Sequence, residues 1–221
     1  MQCSLFGKLP TRRDFIAIGA SRDFLDAWEP WLQSAISSSR SDLGKDWQPA
    51  FLKAPIWRFW LGSEVCGRSV IGAFMSSLDG VGRYFPLTLF ACADDNAAIP
   101  PPEINSQDGW FEQAEQLLLS TLDQDANFET IAERVKNGCA PFQDANIARA
   151  GTGAIPTEGR DFGETFRSIR ALDHHGIYAG STFWWTIGGD GFPSTALYST
   201  RMPDPYVFSS MLTGEFAKNS V

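Results

Sequence analysis

Cysteine, histidine and long apolar runs are scarce in this chain of 221 residues. The four cysteines, Cys3, Cys66, Cys92 and Cys139, lie 63, 26 and 47 residues apart and form no C-x-x-C pair. Such spacing excludes a compact disulfide framework and a zinc ribbon, so the thiols are read as reduced and mostly buried. The only histidines, His174 and His175, are adjacent, and on a regular strand they would point to opposite faces. No run of 18 apolar residues is present to cross a bilayer. The opening Met1-Gln2-Cys3-Ser4-Leu5-Phe6-Gly7 lacks the charged, apolar and small-residue regions of a signal peptide, so a cytoplasmic location is expected.

Positive charge is also in deficit. The net charge is −8, the wrong sign for a protein that grips phosphates, which argues against nucleic acid as a partner. The imbalance is confined to the second part of the chain. Residues 1–90 carry ten basic and eight acidic side chains, whereas residues 91–221 carry eight and eighteen. Either a solvated acidic surface or a basic target would account for that asymmetry.

The familiar catalytic motifs are missing too. No G-x-x-x-x-G-K-[ST], H-E-x-x-H or EF-hand pattern occurs, which leaves no cofactor or metal to expect. Asp173, His174 and Ser181 supply the residue types of a hydrolase triad, but no G-x-S-x-G elbow surrounds any serine. Gly151-Thr152-Gly153-Ala154-Ile155-Pro156 begins like a dinucleotide fingerprint and fails at Pro156, where the third glycine should stand.

What the chain has in abundance is aromatic residues, with eight Trp and seventeen Phe to fill a core. A short strand over 2–7 leads into an exposed loop, Lys8 to Phe15. Ser21 then opens a helical stripe through Phe24, Trp28, Trp31, Leu32, Ala35 and Ile36, in which Pro30 predicts a kink or two abutting helices. Residues 56–61, 69–76 and 84–92 read as three antiparallel strands. The last is apolar on both alternating sets, which predicts helices on both sides of the sheet. Two helices are expected over 108–122, capped by Asp108, and over 127–138, capped by Asn127. An irregular excursion follows over 138–170. A hairpin is expected around Gly188-Gly189-Asp190-Gly191, and a last helix between Asp204-Pro205 and Gly214. The fold class is α/β, a mixed and largely antiparallel central sheet with helices on both faces, a three-layer sandwich in one domain over residues 1–221.

Polar residues embedded in this apolar context are the candidates for function. Alternation places Trp57, Phe59 and Leu61 on one face of their strand and Arg58 and Trp60 on the other. Asp79 and Arg83 sit in a glycine-rich turn, Ser76-Ser77-Leu78-Asp79-Gly80-Val81-Gly82-Arg83, where a carboxylate–guanidinium pair could lock the loop. Arg58, Asp79 and Arg83 then form either a structural ion-pair cluster or a ligand site. Trp184 and Trp185 divide between faces, one for the core and one for a partner.

Phe6-Gly7-Lys8-Leu9-Pro10 with Asp14-Phe15, Trp28-x-x-Trp31-Leu32, Pro55-x-Trp57-Arg58-Phe59 and, above all, Ser77-x-Asp79-x-Val81-Gly82-Arg83-Tyr84-Phe85-Pro86-Leu87 resemble, in order and spacing, the TagF family, also called ImpM. Ser181-x-x-Trp184-Trp185 and Met202-Pro203 extend the resemblance to the C-terminus. The chain departs from the family pattern at Arg13, where a glycine is usual before Asp-Phe, and at Glu29-Pro30 between the two helix tryptophans. The resemblance implies an α/β sandwich that acts in the cytoplasm as a post-translational repressor of bacterial type VI secretion, through the forkhead-associated scaffold protein of the apparatus. It implies no catalytic residue, cofactor or metal. Asp14, Phe15, Arg58, Ser77, Asp79, Arg83, Trp184 and Trp185 are the candidate interaction or pocket residues. The alternative is a small-ligand sensor or enzyme whose pocket is lined by Ser77, Asp79, Arg83 and one of the paired tryptophans.

Overall fold

The computed structural model describes residues 2–123, 125–138, 140–145 and 162–216. Cys139 and the Gly151-to-Pro156 stretch lie outside these residues. In chain order the elements are β1 (Cys3–Gly7), β2 (Ile16–Ile18), α1 (Arg22–Leu43), a 3-10 turn (Gly44–Asp46), α2 (Trp47–Lys53), β3 (Trp57–Leu61), α3 (Ser63–Cys66), β4 (Val70–Met75) and β5 (Leu87–Cys92). They continue with α4 (Asp108–Ser120), α5 (Phe128–Lys136), α6 (Phe162–Leu172), α7 (His174–Ile177), β6 (Ser181–Thr186), β7 (Thr195–Thr200) and α8 (Val207–Thr213).

Among the described residues the strands form one sheet in the order β2-β1-β5-β4-β3-β6-β7. All six ladders are antiparallel, so the mixed element of the expected sheet is absent from them. The reason lies in the long excursion between β5 and β6. It leaves beside Val70, the partner of Cys92, and returns beside Leu61, the partner of Thr182, at the same end of the sheet. β6 therefore runs against β3.

Alternation along the strands builds two cores. Trp57, Phe59, Leu61, Phe74, Phe90 and Trp184 face α1, α2 and α8, which contribute Phe24, Trp28, Trp31, Phe51 and Phe208. Trp60, Ile71, Leu87, Leu89 and Ala91 face α4 and α5, which contribute Trp110, Phe111, Leu118, Ile131 and Val135. The three-layer sandwich read from the sequence is the observed architecture. Burial of an indole leaves a polar N–H to satisfy, and those of Trp28, Trp31, Trp47, Trp57, Trp60 and Trp184 each find an acceptor. Trp31 donates to the Pro203 carbonyl at 2.8 Å, Trp57 to the Met211 carbonyl at 2.9 Å and Trp60 to the Ile99 carbonyl at 2.9 Å. These bonds tie the helices and connections to the sheet in one register.

Four local expectations are corrected. α1 runs through Pro30 as one helix, because the buried stripe from Phe24 to Ile36 lies on both sides of the exposed proline. Each such side chain stabilises by about 1.5–3 kcal/mol, which together outweighs the roughly 3 kcal/mol cost of an internal proline. β2 stands between the expected loop, Lys8 to Phe15, and the expected helix, where no element was read; pairing with Leu5 to Gly7 satisfies its backbone. Residues 162–172 form α6, which takes up the end of the stretch read as irregular over 138–170 and runs two residues past it, with Phe162 and Phe166 exposed. The residue capping α4 is Gln107, at φ 51°, with Asp108 already helical. Asn127 caps α5 as expected, accepting from the Thr130 N–H at 3.0 Å. Arg13, by contrast with the glycine usual there, does not occupy positive φ.

Cys3 and Cys66 are buried and Cys92 is half-buried. Burial, reinforced by nearby Cys92, pushes the Cys66 thiol up to about 12, so it stays protonated and unreactive at neutral pH.

Gly72 lies opposite Phe59 in the β3–β4 ladder, and a Cβ there would come within 2.2 Å of the Phe59 ring. Gly72→Ala is expected to destabilise by about 1–3 kcal/mol through overpacking. Gly109→Ala, on α4 with open space around it, is expected to be neutral or to stabilise by up to about 1 kcal/mol. Chemical denaturation of both variants checks the contrast.

Candidate functional site

The register places four connections at one end of the sheet: the β1–β2 loop, the β4–β5 loop, the entry to β3 and the β6–β7 hairpin. The β4–β5 loop is the most constrained of them. Leu78 bridges Tyr84, the Asp79 N–H donates to the Arg83 carbonyl at 3.1 Å, and Phe85 N–H donates to Ser77 O at 3.0 Å. Gly82 holds the loop's tip at φ 85°, a conformation costly for any other residue type. Gly80 passes so close to the first loop that its N–H reaches the Arg12 carbonyl at 2.7 Å, and a Cβ would meet Pro10 O at 3.1 Å.

Asp79 is the centre of this arrangement and is completely buried. Its Oδ1 accepts the N–H of Val81 at 3.1 Å and of Arg83 at 2.9 Å. Its Oδ2 accepts Lys8 Nζ at 2.9 Å and Arg83 Nε at 2.7 Å. Burial alone would raise the carboxyl's pKa. The Arg83 N–H, the Lys8 ammonium, the Arg83 guanidinium and the Val81 N–H override it and hold the group well below the usual carboxylate range.

With four donors in place, Asp79 has no lone pair to offer a ligand. It is a pin between two loops. Lys8, itself buried, is held from the other side as well, because Ser77 Oγ donates to its carbonyl at 2.8 Å. Arg83 reaches past Asp79 to the Arg13 carbonyl, which fixes the tip of the first loop. Phe15 packs between Phe6 and Phe85, with ring centroids 5.9 and 4.8 Å away, and Lys8 Nζ stands 5.1 Å from its centroid. On the far side the Arg12 guanidinium lies 4.2 Å from the Phe128 ring of α5.

The outer face of the pinned loops is exposed. Phe15 is 48% and Val81 57% accessible, and Arg83 keeps more than half its side chain in water. Asp14 stands on the same rim, where residues 11–17 and Phe128 enclose an open concavity of about 560 Å³.

Of the candidates read from the sequence, Asp14, Phe15, Ser77, Asp79 and Arg83 thus meet at one place. Arg58 does not join them. It projects from β3 under α4, where its Nε is 2.6 Å from Glu115 Oε1 and its Nη1 3.8 Å from Asp108. Trp185, its ladder partner, packs edge-on against Phe111 at 4.8 Å, the ring that Arg58 also covers. Trp184 is the core member of the pair, fully buried among Trp28, Trp31 and Phe59. Successive residues of β6 face opposite layers, so the two tryptophans part company, and their ring contacts are with Trp28, Phe59 and Phe111 rather than with the Asp79 loop. His174 pairs with Asp144 at 2.7 Å rather than with a serine.

Sequence reasoning missed Lys8 and Glu115, the partners that complete each cluster. The signal for Lys8 was a lone cation between Gly7 and Leu9 in an apolar stretch. Glu115 carried none beyond lying one helical face from Asp108.

The family model for the TagF N-terminal domain, type VI secretion system-associated, matches residues 4–137. The chain belongs to the TagF family. The crystal structure of PA0076 from Pseudomonas aeruginosa PAO1 superposes with a TM-score of 0.83 and 31% sequence identity, covering 99% of this chain and 97% of that one. No curated protein matches the chain. The matched segment holds every residue of the Asp79 pin and the Arg58–Glu115 pair. β6 and β7 lie beyond it and complete the same sheet. This TagF-family chain has no helix among its described residues long and apolar enough to cross a membrane.

A carboxylate whose pKa is lowered by folding contributes stability that is complete above its unfolded value, about 3.9, and that is lost as pH falls toward the folded value. Asp79→Asn is expected to lower Tm at pH 7. The gap to wild type should shrink below about pH 4, as the unfolded chain takes up a proton that the native carboxylate still refuses. Thermal melts from neutral to strongly acid pH check this. A gap independent of pH would show that the charge on Asp79 is immaterial.

Proposed function

We propose that the protein is a cytoplasmic, post-translational repressor of type VI secretion that acts by binding the forkhead-associated scaffold protein of the apparatus, with no chemical transformation. The observation that carries this reading is the use to which the most conspicuous charged cluster is put. Asp79, Lys8 and Arg83 spend their hydrogen-bonding capacity on fixing two loops, and the fixed loops hold Phe15 and Val81 out in water. An apolar anchor on a rigid loop loses little conformational freedom when a partner covers it, and such anchors dominate binding energy at interfaces. Membership of a type VI secretion-associated family supplies the context for the partner.

Arg83 has a double part in this reading, with its Nε on the pin and its Nη2 on the Arg13 carbonyl while more than half of the side chain remains in water. Rim charges of that kind tune the rate and the selectivity of encounter more than the final affinity.

Val81 is on the surface, so Val81→Glu should leave Tm unchanged while weakening capture of the purified scaffold protein about tenfold or more. A binding assay between the two folded proteins measures it. Failure of the wild-type chain to retain the scaffold would overturn the reading.

A further inference from the structure

A second feature lies at the same end of the sheet, on the α4 side. The C-terminal half of α4, the entry to β3 and the β6–β7 hairpin enclose a groove of about 700 Å³. Its apolar lining comes from Ile56, Leu119, Ile187 and Phe192. Leu119 is 51% and Ile187 64% accessible, and both line this one groove.

Acidic groups outnumber basic ones around it, with Lys53 the basic residue of its lining. α4 contains no basic residue, and Asp108, Glu112, Glu115 and Leu119 follow one another at spacings of four, three and four, which puts them on a single helical face. Asp190 closes the opposite rim from the hairpin. Arg58 neutralises Glu115 from below, at 2.6 Å, and in doing so stands the carboxylate at the groove wall. Asp108, Glu112 and Asp190 remain exposed against a single exposed cation, Lys53.

An apolar floor between acidic rims fits one kind of occupant. We infer that this groove docks a basic amphipathic segment of a partner protein, whose aliphatic side chains enter between Leu119 and Ile187 while its lysines or arginines meet Asp108, Glu112 and Asp190. The volume accommodates a few large side chains, as grooves that receive one face of a helix do. Charge complementarity selects the partner: an acidic segment would set like charges together on both rims, and an uncharged one would leave them unused. The groove is distinct from the Phe15–Val81 surface, so the two sites stand or fall separately.

The experiment uses the full chain, with isoleucine and leucine methyl groups labelled for NMR. The probe is a synthetic peptide of lysine and leucine in helical amphipathic order, and the control is its glutamate and leucine counterpart. Titration of the lysine peptide should shift the methyl signals of Ile56, Leu119 and Ile187, and the glutamate peptide should not. Leu119→Ser with Ile187→Ser, and separately Glu112→Lys with Asp190→Lys, should each weaken binding about tenfold. Asp42→Lys, on the exposed face of α1, should leave it unchanged. Absence of shifts, shifts centred elsewhere, equal binding of the acidic peptide, or equal weakening by Asp42→Lys would each overturn the proposal. So would a self-association in sedimentation that Ile187→Ser abolishes, since the groove would then be filled by a second copy.

Discussion

A carboxylate buried without compensation would be among the most costly groups in this protein, and Asp79 is buried completely. Its four donors come from two separate parts of the chain: the β4–β5 loop gives two backbone N–H groups and Arg83, and the β1–β2 loop gives Lys8. The desolvation of one group is thus converted into a geometric constraint on two loops. Removing any donor leaves a buried lone pair of the carboxylate unsatisfied, so neither loop can relax without the other. The exposed surface around Phe15 and Val81 inherits its rigidity from that arrangement.

The sheet beneath is organised by the same economy applied to apolar groups. Alternation divides the aromatic residues of β3, β5 and β6 between two layers, so that Trp57 and Trp60, three residues apart, serve different cores. Each indole N–H then needs an acceptor, and acceptors at Pro203, Met211 and Ile99 draw distant connections onto the sheet. Gly72 shows how little slack remains, since the ring of Phe59 occupies the space a methyl group would need.

The two charged clusters differ in what they do with their surroundings. Asp79 faces inward and is saturated, which makes it a positioning group for surfaces elsewhere. Arg58 is buried too, but its partner Glu115 lines a groove and its more distant partner Asp108 reaches solvent. One cluster builds a rigid protrusion and the other the wall of a depression, both at the end of the sheet where four connections meet. Such convergence of protruding and concave features on loops held by a rigid scaffold is typical of recognition surfaces.

Elements whose signal is local were legible in the chain alone. The period-two alternation of the strands read over 56–61 and 84–92, the stripe from Phe24 to Ile36, the Asn127 cap and the glycine-rich hairpin all depend on neighbours a few residues away, and each is found, the second strand starting three residues later, at Leu87. The Asp79–Arg83 pair was legible for the same reason, being four residues apart in one turn. Lys8 is 71 residues from Asp79 and Glu115 is 57 from Arg58, and no local pattern connects them. Those pairings, the strand at 16–18 and the separation of Arg58 from Asp79 were decided by tertiary structure. Only the folded sheet fixes which distant charges share a space without water, and there an ion must find its partner or not be buried at all.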